Sequence, residues 1–138
     1  YTSLFVGSVS VYKDRAKAER ARRNLADAGL GDRVESRLGD ARATLRGIDG
    51  PVDLLPNDDF PPPMLEVLQT VVPALRPGAT VCSTSSIGLF KADHVDSLAW
   101  LRDPANGFDS SPLLMGERCE LSVSAGALDR SPQLAPVP

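Results

Sequence analysis

The side chains that could do chemistry in this sequence are few, and most are carboxylates near glycine or proline. Asp58 and Asp59 stand side by side after an apolar run. Adjacent carboxylates are the hard oxygen ligands that a divalent cation prefers, and they are equally at home in a solvated loop. Asp40 lies between Gly39 and Ala41. An aspartate at that point can accept hydrogen bonds from a ligand's amino group, or cap the helix that follows it. Asp14 has the same two readings at the start of a longer helix. His94 is the sole histidine and has no acid at triad-like spacing, so it is expected on a helix surface. Cys82 and Cys119 match no metal or redox spacing and read as two small core residues of a reducing compartment. Lys13, Arg15, Lys17, Arg20, Arg22 and Arg23 crowd one stretch, but a helix spreads them over its solvated face. Trp100 reads as a packing residue against a sheet.

These groups need a scaffold, and 138 residues suffice for one domain with one core. A net charge of -3 implies no general attraction to nucleic acid. No apolar run is long enough to span a membrane, and no secretory type of leader opens the chain, so a cytoplasmic protein is expected. The first residue is Tyr1, which leaves room for a processed or shortened N-terminus.

Residues 4–12 are apolar and β-branched enough for a strand. Asp14 then opens a helix with Ala18, Ala21, Leu25 and Ala28 on one face, and Gly29 predicts a left-handed cap with Leu30 folding back. Residues 34–38 form a short strand candidate, and Asp40 caps a short helix through Leu45. Residues 52–55 read as a strand ended by Pro56. A second long helix is expected from about Pro61, with Met64, Leu65, Leu68, Val71, Val72 and Leu75 on one face and a break or bend at Pro73. Pro77-Gly78 reads as a turn, residues 79–83 as a strand, and Asp93 as the cap of a helix carrying Val95, Leu98 and Leu101. Residues 111–115 and 120–124 make a closing antiparallel pair around Gly116. Residues 1–125 are taken as the domain, and 126–138, with three prolines and little to bury, as a mobile tail. Alternating strands and helices imply an α/β layer fold with a largely parallel sheet.

The segment AERARRNLADAGLGDRVESR followed by LGDA, then VDLLPNDDF, VVPALRPGA and WLRDPANGFDSSPLLMGERCELSVSA, resembles class I S-adenosylmethionine-dependent O-methyltransferases of the catechol and caffeoyl-CoA type. The resemblance runs over roughly residues 9 to 125. It implies a Rossmann-like sheet of seven strands, mostly parallel, with a C-terminal antiparallel hairpin. The family's glycine-rich loop and first strand have no counterpart here and would lie before Tyr1. The resemblance gives Asp14, Gly39, Asp40 and Ala41 to the cofactor, S-adenosylmethionine, with Asp40 accepting from the adenine amino group. Tyr12 stands where the family has a ribose-binding acid. Asp58 stands at the first position of the family's divalent-metal site, while Thr84 and Ser85 replace its Asp-Asn pair and Pro61 replaces its catalytic lysine. No residue is assigned as catalytic.

The activity implied is methyl transfer to a hydroxyl of a small-molecule acceptor, in a protein that forms homo-oligomers. Two alternatives stand beside it. One is a non-catalytic binding or assembly module, favoured by Tyr12, Pro61, Thr84 and Ser85. The other is a metal-independent methyltransferase assisted by Thr84, Ser85 or His94.

Overall fold

The computed structural model describes residues 15–57, 64–84, 94–113 and 119–125, together with the backbone of a strand at 3–5. Two compact units result: Tyr1–Ile48 with Glu66–Pro73, and Asp49–Leu65 with Ala74–Pro138.

In the first unit β1 (Ser3–Phe5) pairs in parallel with β2 (Val34–Ser36), Leu4 opposite Glu35. Between them runs α1 (Arg15–Asp27). Its end is the expected left-handed cap. Gly29 has φ +71°, its N–H donates to the Ala26 carbonyl at 2.9 Å, and the Leu30 N–H donates to Leu25 at 2.8 Å. That is the double bond pattern of a Schellman motif. The expected apolar face is thin: only Ala18 and Leu25 are half-buried, because an alanine stripe offers little area to remove from water. A short 3₁₀ turn (Gly31–Arg33) leads into β2, and α2 (Ala41–Thr44) follows.

The second unit is a four-stranded sheet of order β3-β4-β6-β5. Here β3 is Val52–Asn57, β4 is Leu75–Ser83, β5 is Phe108–Leu113 and β6 is Cys119–Ser124. Strands β3 and β4 are parallel, whereas β4–β6 and β5–β6 are antiparallel. The closing pair thus forms as expected but begins earlier, at Phe108, which pairs with Ser124. Burial alternates strictly at the end of β4: Ala79, Val81 and Ser83 are buried, Thr80 and Cys82 only partly. On β6 the buried set is Glu120, Ser122 and Ser124. Trp100 tilts against Phe108 with ring centroids 5.6 Å apart, which is the packing role expected of it.

Two α-helices and a 3₁₀ turn (Pro104–Asn106) complete the described residues. α3 (Met64–Val71) buries Met64, Val67, Leu68 and Val71, then tightens into a 3₁₀ turn (Val72–Ala74) where Pro73 ends the α-helical ladder. α4 (Val95–Arg102) buries Ser97, Leu98 and Leu101 and leaves Val95 exposed.

Several expectations change. Pro56 lies inside β3, paired with Cys82, and does not end the strand. Among the described residues β3 is an edge strand, and an edge tolerates a missing N–H. Leu75 opens β4 and is not on the helix face. Pro77-Gly78 is not a free turn but a bulge within β4, where the register jumps from Val52↔Leu75 to Leu54↔Thr80. His94 is buried, not on a helix surface. Both cysteines are reduced, and each is half-buried rather than core. The tail at 126–138, the turn at Gly116 and the cap at Asp93 lie outside the described residues.

The four-stranded set closes with the antiparallel pair that the resemblance implies. Among the described residues β1 pairs with β2, and β3 pairs with β4.

Candidate functional site

Two places carry the chemistry. The first is the turn between β2 and α2. Gly39 has φ +136°, a region side chains rarely adopt, and a Cβ there would stand 3.1 Å from Thr44 Cγ2. Glycine therefore lets the chain fold tightly over Thr44, whose Oγ1 is buried without a hydrogen-bond partner among the described residues. Asp40 then caps α2: its Oδ1 accepts from the Arg42 N–H at 2.9 Å. Arg42 also grips the same carboxylate through its side chain, with Nη2 2.6 Å from Oδ2 and Nε 3.0 Å from each oxygen. Glu66 lies 3.5 Å from the far side of that guanidinium. The side-chain and backbone bonds from Arg42 hold the Asp40 carboxyl below its ordinary value, and the same partner raises Arg42. Nearby, Arg37 takes both oxygens of Glu35 at 2.7 and 3.1 Å and likewise lowers that carboxyl. Ala41 is buried and starts the helix. Of the residues given to the cofactor, Gly39, Asp40 and Ala41 form this one turn. Asp14 and Tyr12 lie outside the described residues.

The second place is the C-terminal end of β3 and β4, where parallel α/β sheets hold their ligands. Asn57 and Ser83 are register partners on these strands. Both are buried, and among the described residues neither the Asn57 Nδ2 nor the Ser83 Oγ has a hydrogen-bond partner. The Thr84 N–H donates to the Asn57 carbonyl at 3.2 Å, which ties the two strand ends together. One step further across the sheet Ser83 pairs with Glu120, a fully buried carboxylate that accepts from Arg102 Nε at 2.7 Å and Nη2 at 2.6 Å. This bidentate pairing raises Arg102 above its ordinary value. His94, just before α4, has Nδ1 2.9 Å from Met64 Sδ, and Ser97 donates to the His94 carbonyl at 3.0 Å.

Asp58, Pro61 and Ser85 lie outside the described residues. Among the described residues no group of three His, Cys, Asp or Glu side chains is arranged to hold a metal ion. At this sheet end Asn57, Ser83 and Thr84 are neutral, a donor set that does not suit a hard divalent cation. Sequence reasoning missed Asn57, Ser83 and the Glu120–Arg102 pair. The alternation of β4 carried a signal: Ser83 is in phase with Ala79 and Val81, the buried side of the strand.

No protein-family model matches this sequence, and the curated proteins hold no match. Solved structures do match. A methyltransferase from Geobacter sulfurreducens is 24% identical with a TM-score of 0.69, covering 91% of this chain and 59% of its own. The O-methyltransferase of tomaymycin synthesis from Streptomyces achromogenes, in complex with S-adenosylmethionine, is 21% identical with a TM-score of 0.71, covering 89% and 61%. An O-methyltransferase from Bacillus cereus, in complex with S-adenosylhomocysteine, is 17% identical with a TM-score of 0.70, covering 89% and 62%. This chain therefore has the Rossmann-like α/β fold of these methyltransferases and spans about three-fifths of their length.

Proposed function

We propose that this chain is the greater part of an S-adenosylmethionine-dependent methyltransferase domain, formed by residues 1–125, that acts on a hydroxyl of a small molecule. The observation that carries the reading is the Gly39–Asp40–Ala41 turn, set after β2 in a fold shared with cofactor-bound O-methyltransferases. The turn suits the cofactor in three ways. Glycine keeps the backbone close, Asp40 is ionised and offers acceptor lone pairs, and Thr44 Oγ1 is an unmet hydroxyl beneath it. The bound cofactor would supply an electrophilic methyl group on a positively charged sulfur. What the protein adds is position: Asp40 orients the adenine end, and the end of the β3–β4 pair lies where an acceptor is held in such sheets. No step is assigned to a metal. Assembly into a homodimer in the cytoplasm belongs to the same reading, supported by the edge of β3, which has no strand partner among the described residues.

One observation favours the non-catalytic reading: Arg42 already occupies both oxygens of Asp40. Arg42 is half-exposed, so releasing it costs little in water. Calorimetric titration of the full chain with S-adenosylhomocysteine separates the readings. Saturable binding is expected, weakened roughly tenfold in Asp40→Asn, which keeps the helix cap but removes the charge. An absence of saturable binding in both the native chain and Arg42→Ala would favour the binding or assembly module.

A further inference from the structure

The arginines of the first unit find different partners. Arg37 takes both oxygens of Glu35, and Arg42 both oxygens of Asp40. Arg22 on α1 has no carboxylate partner among the described residues, and its Nη2 donates to the Ser36 carbonyl at 3.0 Å. That bond uses one of five guanidinium N–H donors and fixes the group at the wall of a half-open cleft between α1 and β2. The cleft measures about 200 Å³, and Leu25, Gly31, Val34 and Ser36 line the rest of it. No acid lines it among the described residues: Glu35, between Val34 and Ser36, alternates to the other side of the strand, where Arg37 holds it. Around the cleft α1 carries Arg15, Lys17, Arg20, Arg22 and Arg23 against only Glu19 and Asp27, an excess that draws anions.

We propose that this cleft binds a small carboxylate carried on an apolar body, such as an aromatic monocarboxylate. The chemistry is complementary. The Arg22 guanidinium keeps N–H donors for a carboxylate, whose planar pair of oxygens matches its fork. Leu25 and Val34, both half-buried, supply the apolar walls. The size also fits: a cavity of roughly 150 Å³ holds a benzene ring, so a ring with its carboxylate fills this one. Inorganic phosphate is a poorer match, because one guanidinium does not neutralise its charge and the apolar walls offer it no hydrogen bonds. Arg22 is exposed, so the affinity is modest, about millimolar. This site rests on the cleft at Arg22 and not on the methyl-transfer reading.

The test uses the full isotope-labelled chain without S-adenosylhomocysteine, titrated at constant ionic strength with benzoate, with benzyl alcohol and with inorganic phosphate. The amides of Arg22, Leu25, Gly31, Val34 and Ser36 are expected to shift saturably with benzoate, and the other two probes to bind about fivefold more weakly or less. The benzoate affinity should fall roughly fivefold in Arg22→Met, which keeps the length of the side chain and loses its charge. Arg22→Lys, which keeps the charge without the fork, should lose less. Arg22 is exposed, so both variants keep the fold, and unchanged positions of the remaining amides check this. Equal responses to benzoate and benzyl alcohol, tighter binding of phosphate, shifts confined to residues outside the cleft, no saturable shift with any probe, or an undiminished response in Arg22→Met would overturn the site.

Discussion

The turn at Gly39–Asp40–Ala41 and the end of the β3–β4 ladder are both polar, and they differ in how their polarity is met. At the turn a carboxylate in contact with water is held by the N–H of its own helix and by a guanidinium two residues away. At the sheet end the Asn57 Nδ2 and the Ser83 Oγ are buried and have no hydrogen-bond partner among the described residues. Sequence-local contacts can satisfy a surface group with little effect on the rest of the fold. A buried group depends on what the opposite strand or a ligand brings to it. Loss of a polar contact is therefore expected to have a mild effect in the first region, and a larger one of either sign in the second.

The largest expected effect comes from Arg102→Met. It leaves Glu120 buried and unpaired and should cost roughly 3 kcal/mol of stability, read from the denaturant midpoint at constant m-value. Pairing it with Glu120→Gln should recover part of the loss, and no recovery would mean that Arg102 acts through its packing alone. Next is Gly39→Ala. A φ of +136° and a methyl 3.1 Å from Thr44 Cγ2 should cost about 2 kcal/mol, and a cost under a few tenths would show that the turn relaxes freely. Asn57→Leu reverses the sign. Replacing an unmet buried amide by an apolar side chain should stabilise the chain by about 1 kcal/mol, and a loss of stability would mean that Asn57 is already satisfied.

The smallest effect is the pH response of Asp40. Its carboxyl is lowered, so its contribution to the folded state is complete above the ordinary value near 3.8 and is lost as pH falls through the lower folded value. The α2 cap should therefore persist at pH 4 and release only in stronger acid. A carboxyl titration by NMR with its midpoint at or above 3.8 would contradict the grip of Arg42.

How much could be read in advance follows the same division. The cap at Gly29 and the cap at Asp40 were legible because each is closed by residues within five positions of itself. The β5–β6 pairing was legible from alternation and a short connection. Pro56 was misjudged because a proline on an edge strand gives up an N–H that faces no partner, and the sequence alone does not say which strands are edges. The Pro77-Gly78 pair was misjudged because a bulge and a turn use the same residues. The burial of His94 was hidden for a different reason: Met64, against which it packs, is thirty positions away. Ser83 and Glu120 meet only through the pairing of β4 with β6.

The central claim is that the Gly39–Asp40–Ala41 turn binds the adenine end of a methyl-transfer cofactor. Its most direct test is a two-dimensional amide spectrum of the full chain titrated with S-adenosylhomocysteine. The amides of Gly39, Asp40, Ala41 and Thr44 are expected to move saturably, and more so in Arg42→Ala, where Asp40 is released. A saturable response confined to other residues, or none at any concentration in either protein, would contradict it.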